Sequence, residues 1–108
     1  MAKKVLGQSN PAAVTATALY TVPASKEAVV SSISVCNLAS SSATYRIAIR
    51  PAGASLANQH YVAYDVTVGA SDTTIITAGF TVATTDVITV YASTANIAFS
   101  AFGDEASV

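Results

Sequence analysis

Short stretches in which hydrophobic and polar residues alternate make up most of the chain, and this pattern predicts β-strands. The clearest stretch is residues 43–50, where Tyr45, Ile47 and Ile49 alternate with polar or small residues. Similar stretches recur about every 8 to 12 residues with turn residues between them, a spacing typical of all-β sandwiches and barrels. No stretch keeps the helical period of an amphipathic helix.

The alternation divides the chain into about eight strands. Gly79 is expected to bend one strand at a bulge, Gly103 to end the last strand, and residues 54–59 to form one helical turn. We interpret residues 1–7 as an N-terminal arm or edge strand and residues 8–108 as a single domain. The fold class is predicted as all-β, an antiparallel β-sandwich with a jelly-roll-like arrangement. After the N-terminal segment, the predicted strands are residues 17–22, 28–37, 43–50, 61–68, 73–77 with 80–82, 87–92 and 97–102.

Strict alternation also predicts which side chains share a sheet face. In residues 28–37, Val29, Ile33 and Val35 are expected on one face, with Val30 on the other face beside small and hydroxylated side chains. Because both faces are uncharged, this strand is predicted to lie at the centre of a sheet.

The same pattern assigns the large aromatic side chains. Tyr45 and Tyr64 fall on the apolar faces of their strands and are expected in the core. Tyr61 and Phe102 point away from the main apolar faces, so they are candidate anchors for contacts between subunits. Ordinary packing in a sheet with two covered faces is the alternative interpretation of these two residues.

The composition is unusual for a free-standing soluble domain. Hydrophobic residues make up 52% of the chain and charged residues only 10%, with a mean hydropathy of +0.51. A free-standing soluble domain usually carries about 25% charged residues. No apolar run is longer than the four residues 61–64, whereas a membrane helix needs about 20. The sequence therefore predicts a β-domain whose surface is covered by copies of itself or by a larger scaffold.

Three features of the sequence limit the expected partners and cellular compartment, namely its net charge, its first residues and its cysteine content. The net charge of −1 gives no strong attraction to nucleic acid or to an anionic membrane, so neither is expected as a partner. The first residues lack the apolar stretch of a secretory signal, so no Sec-type export is expected. Cys36 is the single cysteine, so a fold without intramolecular disulfides, stable in a reducing cytosol, is predicted.

Candidate catalytic chemistry is sparse. The chain has one histidine, His60, and no Cys-x-x-Cys pair, so a zinc site within one subunit is excluded. Cys36 and His60 could form a nucleophile and base, but Cys36 lies in an apolar strand pattern where an inert thiol is the usual state. The common hydrolase and nucleotide-binding motifs are missing. Enzyme is the weakest function class, and no cofactor is expected.

The acidic residues offer one further possibility. Asp65, Asp72 and Asp86 could meet at one end of a sandwich and bind calcium through carboxylate oxygens. Their spacing matches no calcium loop, and Asp at such turn positions commonly caps the turn. Asp104 and Glu105 are expected to form a solvated or interface-paired end and not an acid and base pair.

Four strings give the chain a resemblance to a known family: Leu-Tyr-Thr-Val-Pro at 19–23, Val-Ser-Ser-Ile-Ser-Val-Cys-Asn at 30–37, Tyr-Arg-Ile-Ala-Ile at 45–49 and Asp-Val-Ile-Thr-Val-Tyr-Ala-Ser at 86–93. Together they resemble small virion proteins of tailed bacteriophages, especially phages of cyanobacteria and marine bacteria. The resemblance extends over about residues 5–103 and implies a one-domain β-sandwich on the particle exterior. It supplies no active-site residues.

The expected function is that of a non-enzymatic capsid decoration, or cement, subunit that stabilises the assembled shell. A tail, collar or fibre-associated virion protein is the alternative, followed by a host-surface or glycan-binding module. The expected partners are further copies of the chain, with a trimer favoured, and the major capsid protein or tail proteins. The expected location is the virion, after synthesis in the host cytoplasm. The predicted interface residues are Lys3, Lys4, Val5, Tyr61 and Phe102.

Overall fold

The computed structural model describes the backbone of residues 2–108, with all side chains in that range except those of Ala2 and Ala78. Met1, the first residue of the predicted N-terminal segment, lies outside the described residues. Eight strands are present in the described range. They are β1 Ala2–Ser9, β2 Thr17–Thr21, β3 Lys26–Asn37, β4 Ala43–Arg50, β5 Tyr61–Val68, β6 Thr73–Val82, β7 Val87–Ala92 and β8 Ile97–Ser107.

The strands form two four-stranded sheets with the orders β1-β8-β3-β6 and β2-β7-β4-β5. We call them the first and the second sheet. All neighbouring strands are antiparallel. Every connection crosses from one sheet to the other except the one between β4 and β5, which is the winding of a jelly roll. The predicted antiparallel, jelly-roll-like sandwich is therefore confirmed.

The core lies between the inner faces of the two sheets, where each of the strands β2 to β8 contributes at least one buried apolar side chain. Tyr45 from the second sheet contacts Phe99 from the first edge to face, with ring centroids 6.2 Å apart. The largest fully buried side chains are Tyr45, Phe99, Ile33, Ile47, Ile88, Ile97, Val22, Val30, Val35, Val68, Val82 and Val90. In the described part of the chain, no helix is long and apolar enough to cross a bilayer.

One lateral side of the sandwich is closed by the approach of β1 to β2. A Cβ atom at Gly7 in β1 would overlap the carbonyl oxygen of Leu19 in β2. Glycine is required here because the two backbones are in contact. The edge strands of the opposite side are β5 and β6.

The predicted faces of β3 are wrong because the strand contains a bulge. The pairing with β8 passes from Val30 opposite Gly103 to Ser32 opposite Phe102, which leaves Ser31 as an extra residue. A one-residue bulge reverses the alternation beyond it. Val30 is therefore buried together with Ile33, while Val29 lies on the outer face and is 38% exposed.

A second bulge places Tyr64 outside the core, contrary to the prediction. Tyr45 pairs with Val66 and Ile47 pairs with Ala63, so Tyr64 and Asp65 together oppose the single residue between them on β4. Asp65 has a φ of 50°, which bends the strand. Tyr64 is 57% exposed and does not lie in the core as predicted, whereas Tyr45 is buried as expected.

Three local predictions also need correction. β8 continues through Gly103 to Ser107, because a Cβ at Gly103 would overlap the Val29 carbonyl oxygen and the glycine allows the strand to pass. β6 is one continuous strand and not two pieces, whereas the predicted bulge at Gly79 is confirmed, because residues 78 and 79 together oppose Ser31 of β3. The helical turn predicted at residues 54–59 is present only in part, since the short 3₁₀ segments are Pro51–Gly53 and Asn58–His60.

Candidate interaction surfaces

Side chains on the outer face of the first sheet form rows across the strands, because directly paired residues of antiparallel strands point to the same side. In one row Lys3 of β1 opposes Asp104 of β8, which opposes Val29 of β3. In the next row Val5 opposes Phe102. Each row thus carries a large apolar side chain to the surface of the sheet.

These two rows border a concavity of about 540 Å³, which we call the Phe102 groove. Val5 is 48% exposed and Phe102 is 36% exposed, so the groove presents apolar surface to solvent. Four of the five predicted interface residues lie along it, and only Tyr61 does not. The lining residues are Lys3, Lys4, Val5, Ser31, Phe102, Gly103 and Asp104.

The groove lies where β3 bulges and β8 carries a glycine. The hydroxyl of Ser31, the extra residue of the bulge, donates a 3.1 Å hydrogen bond to the carbonyl oxygen of Phe102. The next residue, Gly103, also lines the groove, and its lack of a Cβ allows the Val29 carbonyl of β3 to approach. A lysine and an aspartate, Lys3 and Asp104, stand in register at one end. The arrangement offers an apolar contact with one charge of each sign at its rim.

Lys4 points to the other side of β1 and belongs to a polar network between the sheets. Its Nζ lies 2.9 Å from Oε1 of Glu105, whose side chain is 9% exposed. The Tyr20 hydroxyl donates a 2.5 Å hydrogen bond to Oε2 of the same carboxylate. This network joins β1 and β8 of the first sheet to β2 of the second, so it helps to hold the N-terminal strand in place.

The network also shifts the two titrating groups in opposite directions. The hydrogen bond from Tyr20, followed by the one from Lys4, lowers the pKa of Glu105. Burial, together with the neighbouring Glu105 carboxylate, raises the pKa of Tyr20. Both shifts favour a charged Glu105 that accepts a hydrogen bond from a neutral tyrosine hydroxyl.

The second sheet presents a different surface, centred on Arg46. Its guanidinium lies 4.2 Å from the ring centroid of Tyr64 and 4.3 Å from that of Tyr91. The Nε and Nη2 atoms of Arg46 donate hydrogen bonds of 2.6 and 3.3 Å to the two carboxylate oxygens of Asp65. The hydrogen bond to Asp65 raises the pKa of Arg46. The arginine thus joins Tyr64, Tyr91 and Asp65 in a cluster without net charge.

Tyr61 lies beside this cluster and therefore on the face opposite to the Phe102 groove. Its ring contacts that of Tyr64 edge to face at 4.9 Å. Together with Asn58 the two tyrosines line a concavity of about 340 Å³, which we call the tyrosine patch. Strict alternation could not find Tyr64, but an aspartate inside a strand pattern is a signal for the bulge that exposes it.

The structure separates the candidate nucleophile and base. Cys36 is half-buried, and its pairing with Thr73 and Ala98 places it on the outer face of the first sheet. His60 is buried just before β5 of the second sheet, where its Nδ1 accepts a hydrogen bond from the Ala57 amide. The core of the sandwich lies between the first sheet's outer face and the second sheet, so the two side chains do not form one site.

The three aspartates considered for calcium do not meet. Asp72 precedes β6 and Asp86 follows it, so the ten residues of that strand separate them. Asp72 accepts a hydrogen bond from the Thr73 amide, Asp86 accepts from two turn amides, and Asp65 binds Arg46. Within residues 2–108, no three His, Cys, Asp or Glu side chains are grouped so that they could hold a metal ion.

Comparison of the chain with protein-family models, with curated proteins and with solved structures finds no match. The assignment of a function therefore depends on the two surfaces themselves and on the resemblance carried by the sequence. The Phe102 groove and the tyrosine patch lie on opposite outer faces, so they can be tested separately.

Proposed function

We propose that the chain is a non-enzymatic structural protein of a tailed-phage virion, a decoration or cement subunit that binds and stabilises the assembled capsid. The observation that carries the proposal is the Phe102 groove, because it gathers Lys3, Val5 and Phe102 on one surface. These residues come from the two ends of the chain. Their proximity is a property of the fold, and it matches the need of an assembly protein for a contiguous contact area.

The groove combines the features of a protein-docking surface. Exposed Val5 and Phe102 offer the apolar contact that supplies most of the binding energy. The charges of Lys3 and Asp104 at the rim orient the partner and disfavour wrong registers. Under this proposal the groove receives an apolar side chain of the major capsid protein.

The N-terminal strand is ordered before binding. The ion pair between Lys4 and Glu105 and the hydrogen bond from Tyr20 hold β1 in place. A preorganised surface loses less conformational entropy on association than a flexible arm does. Because the protein binds the assembled shell and not the free capsid subunits, its binding energy adds directly to the stability of the shell.

A tail, collar or fibre-associated protein needs the same kind of surface, so the surface does not distinguish it from a capsid decoration protein. The number of copies per particle does. A decoration protein is present in hundreds of copies per particle, whereas a tail protein forms only a few rings. Quantified band intensities from purified virions measure this number. Hundreds of copies support the decoration role, a few rings support the tail, and absence from the particle overturns both.

The tyrosine patch favours a second candidate, a host-surface or glycan-binding module. Tyr64 is 57% exposed and packs against the guanidinium of Arg46, and Asn58 lines the same concavity. Aromatic faces bind the C–H faces of sugar rings, while amides bind sugar hydroxyls. The jelly roll itself serves both viral capsid and lectin domains, so the fold does not choose between them.

The two candidates are compared by cosedimentation of the purified protein with empty tailed-phage capsids and with host envelope fragments. The decoration proposal predicts binding to capsids that persists when Tyr64 is replaced by serine. The glycan proposal predicts binding to envelope fragments that is lost with the same substitution. Binding to envelope alone would overturn the decoration role.

A further inference from the structure

The two edge strands on the open side of the sandwich differ in how they are protected from pairing with another strand. Edge strands expose unpaired backbone groups, and proteins usually protect them with charges, bulges or short length. β5 contains two irregularities and the charged residue Asp65. On the closed side, β1 carries Lys3 and Lys4 and lies against the five-residue strand β2.

The first half of β6 has none of these protections. Residues 73–77 contain no charge and no proline, and their pairing with β3 is regular up to Thr77. β6 pairs within its sheet only with β3, so the other side of its backbone faces outward. Ile75, at the centre of this segment, is 65% exposed. Such an edge is a template for an added strand.

We propose that this edge, residues 73–77, pairs with the same segment of a second copy, antiparallel and about a two-fold axis at Ile75. The outer-face sequence is symmetric about that residue, because Thr73 and Thr77 flank it at equal distances. Antiparallel pairing then places Ile75 against Ile75 and Thr73 against Thr77 of the other copy. Such apolar and threonine pairs stabilise antiparallel strands, and no like charges meet.

The second copy is favoured over an unrelated partner by this self-complementarity, which a two-fold interface requires. Pairing joins the two first sheets into one continuous sheet of eight strands. The contact is short, so we expect weak association that becomes effective where many copies lie side by side. A two-fold pair differs from the trimer favoured by the sequence, and it is independent of the virion assignment.

Disulfide cross-linking tests the register. In a Cys36→Ser background, which removes the native thiol on the same face, Ile75→Cys is expected to form a cross-linked dimer under mild oxidation. Paired residues of antiparallel strands have Cα atoms about 4.5 to 5.5 Å apart, within the range of a disulfide. Thr73→Cys alone is not expected to cross-link, whereas a mixture of Thr73→Cys and Thr77→Cys proteins is.

Sedimentation equilibrium tests the association itself. The wild-type chain is expected to show a monomer and dimer equilibrium, and Ile75→Lys to weaken it about tenfold by placing like charges opposite each other. Leu38→Lys is the matched control, because Leu38 is also 65% exposed but lies outside β6. A monomer at all concentrations, a species of three chains, or efficient cross-linking of Thr73→Cys with itself would overturn the proposal.

Discussion

Tyr20 in β2 donates a 2.5 Å hydrogen bond to Glu105 in β8, and so links the second sheet to the first. Both side chains are largely buried, with Tyr20 8% exposed. Tyr20→Phe removes this hydrogen bond and leaves the carboxylate with Lys4 as its remaining partner. We expect a lower urea midpoint of unfolding for Tyr20→Phe at neutral pH, with an unchanged β-rich circular dichroism spectrum.

Because the Glu105 carboxylate titrates, we expect the stability of the folded chain to depend on pH. The pKa of Glu105 is lower in the folded chain than its usual value of 4.5, mainly because of the hydrogen bond from Tyr20. Its stabilising contribution is therefore fully present above the usual value and is lost as the pH falls through the folded value. Urea midpoints measured from pH 7 to pH 3 should fall on the acid side in the wild type. In Glu105→Gln this part of the decrease should be absent. If the urea midpoints of the variant fell with pH as they do in the wild type, Glu105 would not contribute to the pH dependence.

Gly7 and Gly79 give a matched pair of substitutions. A Cβ at Gly7 would overlap the Leu19 carbonyl oxygen, whereas a Cβ at Gly79 meets no atom within 4 Å. Gly7→Ala forces β1 and β2 apart and should lower the free energy of unfolding by about 1 to 3 kcal/mol. Gly79→Ala should change it by less than about 1 kcal/mol. Equal effects in chemical denaturation would mean that β1 does not close that side of the sandwich.

Arg46 is expected to be irreplaceable by lysine in organising the tyrosine patch. Its planar guanidinium contacts two tyrosine rings and both oxygens of Asp65 at once, and an ammonium group cannot reproduce this arrangement. Arg46→Lys should increase the mobility of the Tyr64 ring in NMR relaxation measurements. Arg50→Lys is the control on the same strand and should leave that ring unaffected.

The positions of the strands could be predicted from sequence because alternation is a local property. The predicted bounds 43–50, 61–68 and 87–92 agree with the observed strands. The faces beyond a bulge could not be predicted from the alternation, since one extra residue, Ser31 in β3, reverses every later side chain without changing the local composition. Gly103 resembled a strand end for a similar reason, because the approach of the Val29 carbonyl comes from a distant strand.

The same limit applies to the candidate surfaces, because single residues are predictable from the sequence but their grouping is not. The alternation identifies Phe102 as an outward apolar residue, and Val5 is a candidate only as part of the N-terminal segment, but their pairing depends on β1 lying beside β8. Tyr64 was misplaced because the bulge with Asp65 turns it outward. The residue types of an interaction surface can thus be read from sequence, whereas their grouping requires the strand order.

Binding of the purified protein to empty tailed-phage capsids tests the central proposal most directly. Replacing both Val5 and Phe102 by serine removes the exposed apolar contact of the Phe102 groove, and Tyr64→Ser is the control on the opposite face. The proposal predicts that the double substitution weakens capsid binding by about tenfold or more, as the loss of a central apolar anchor does, while Tyr64→Ser binds like the wild type. Equal binding by the double variant and the wild type would contradict it.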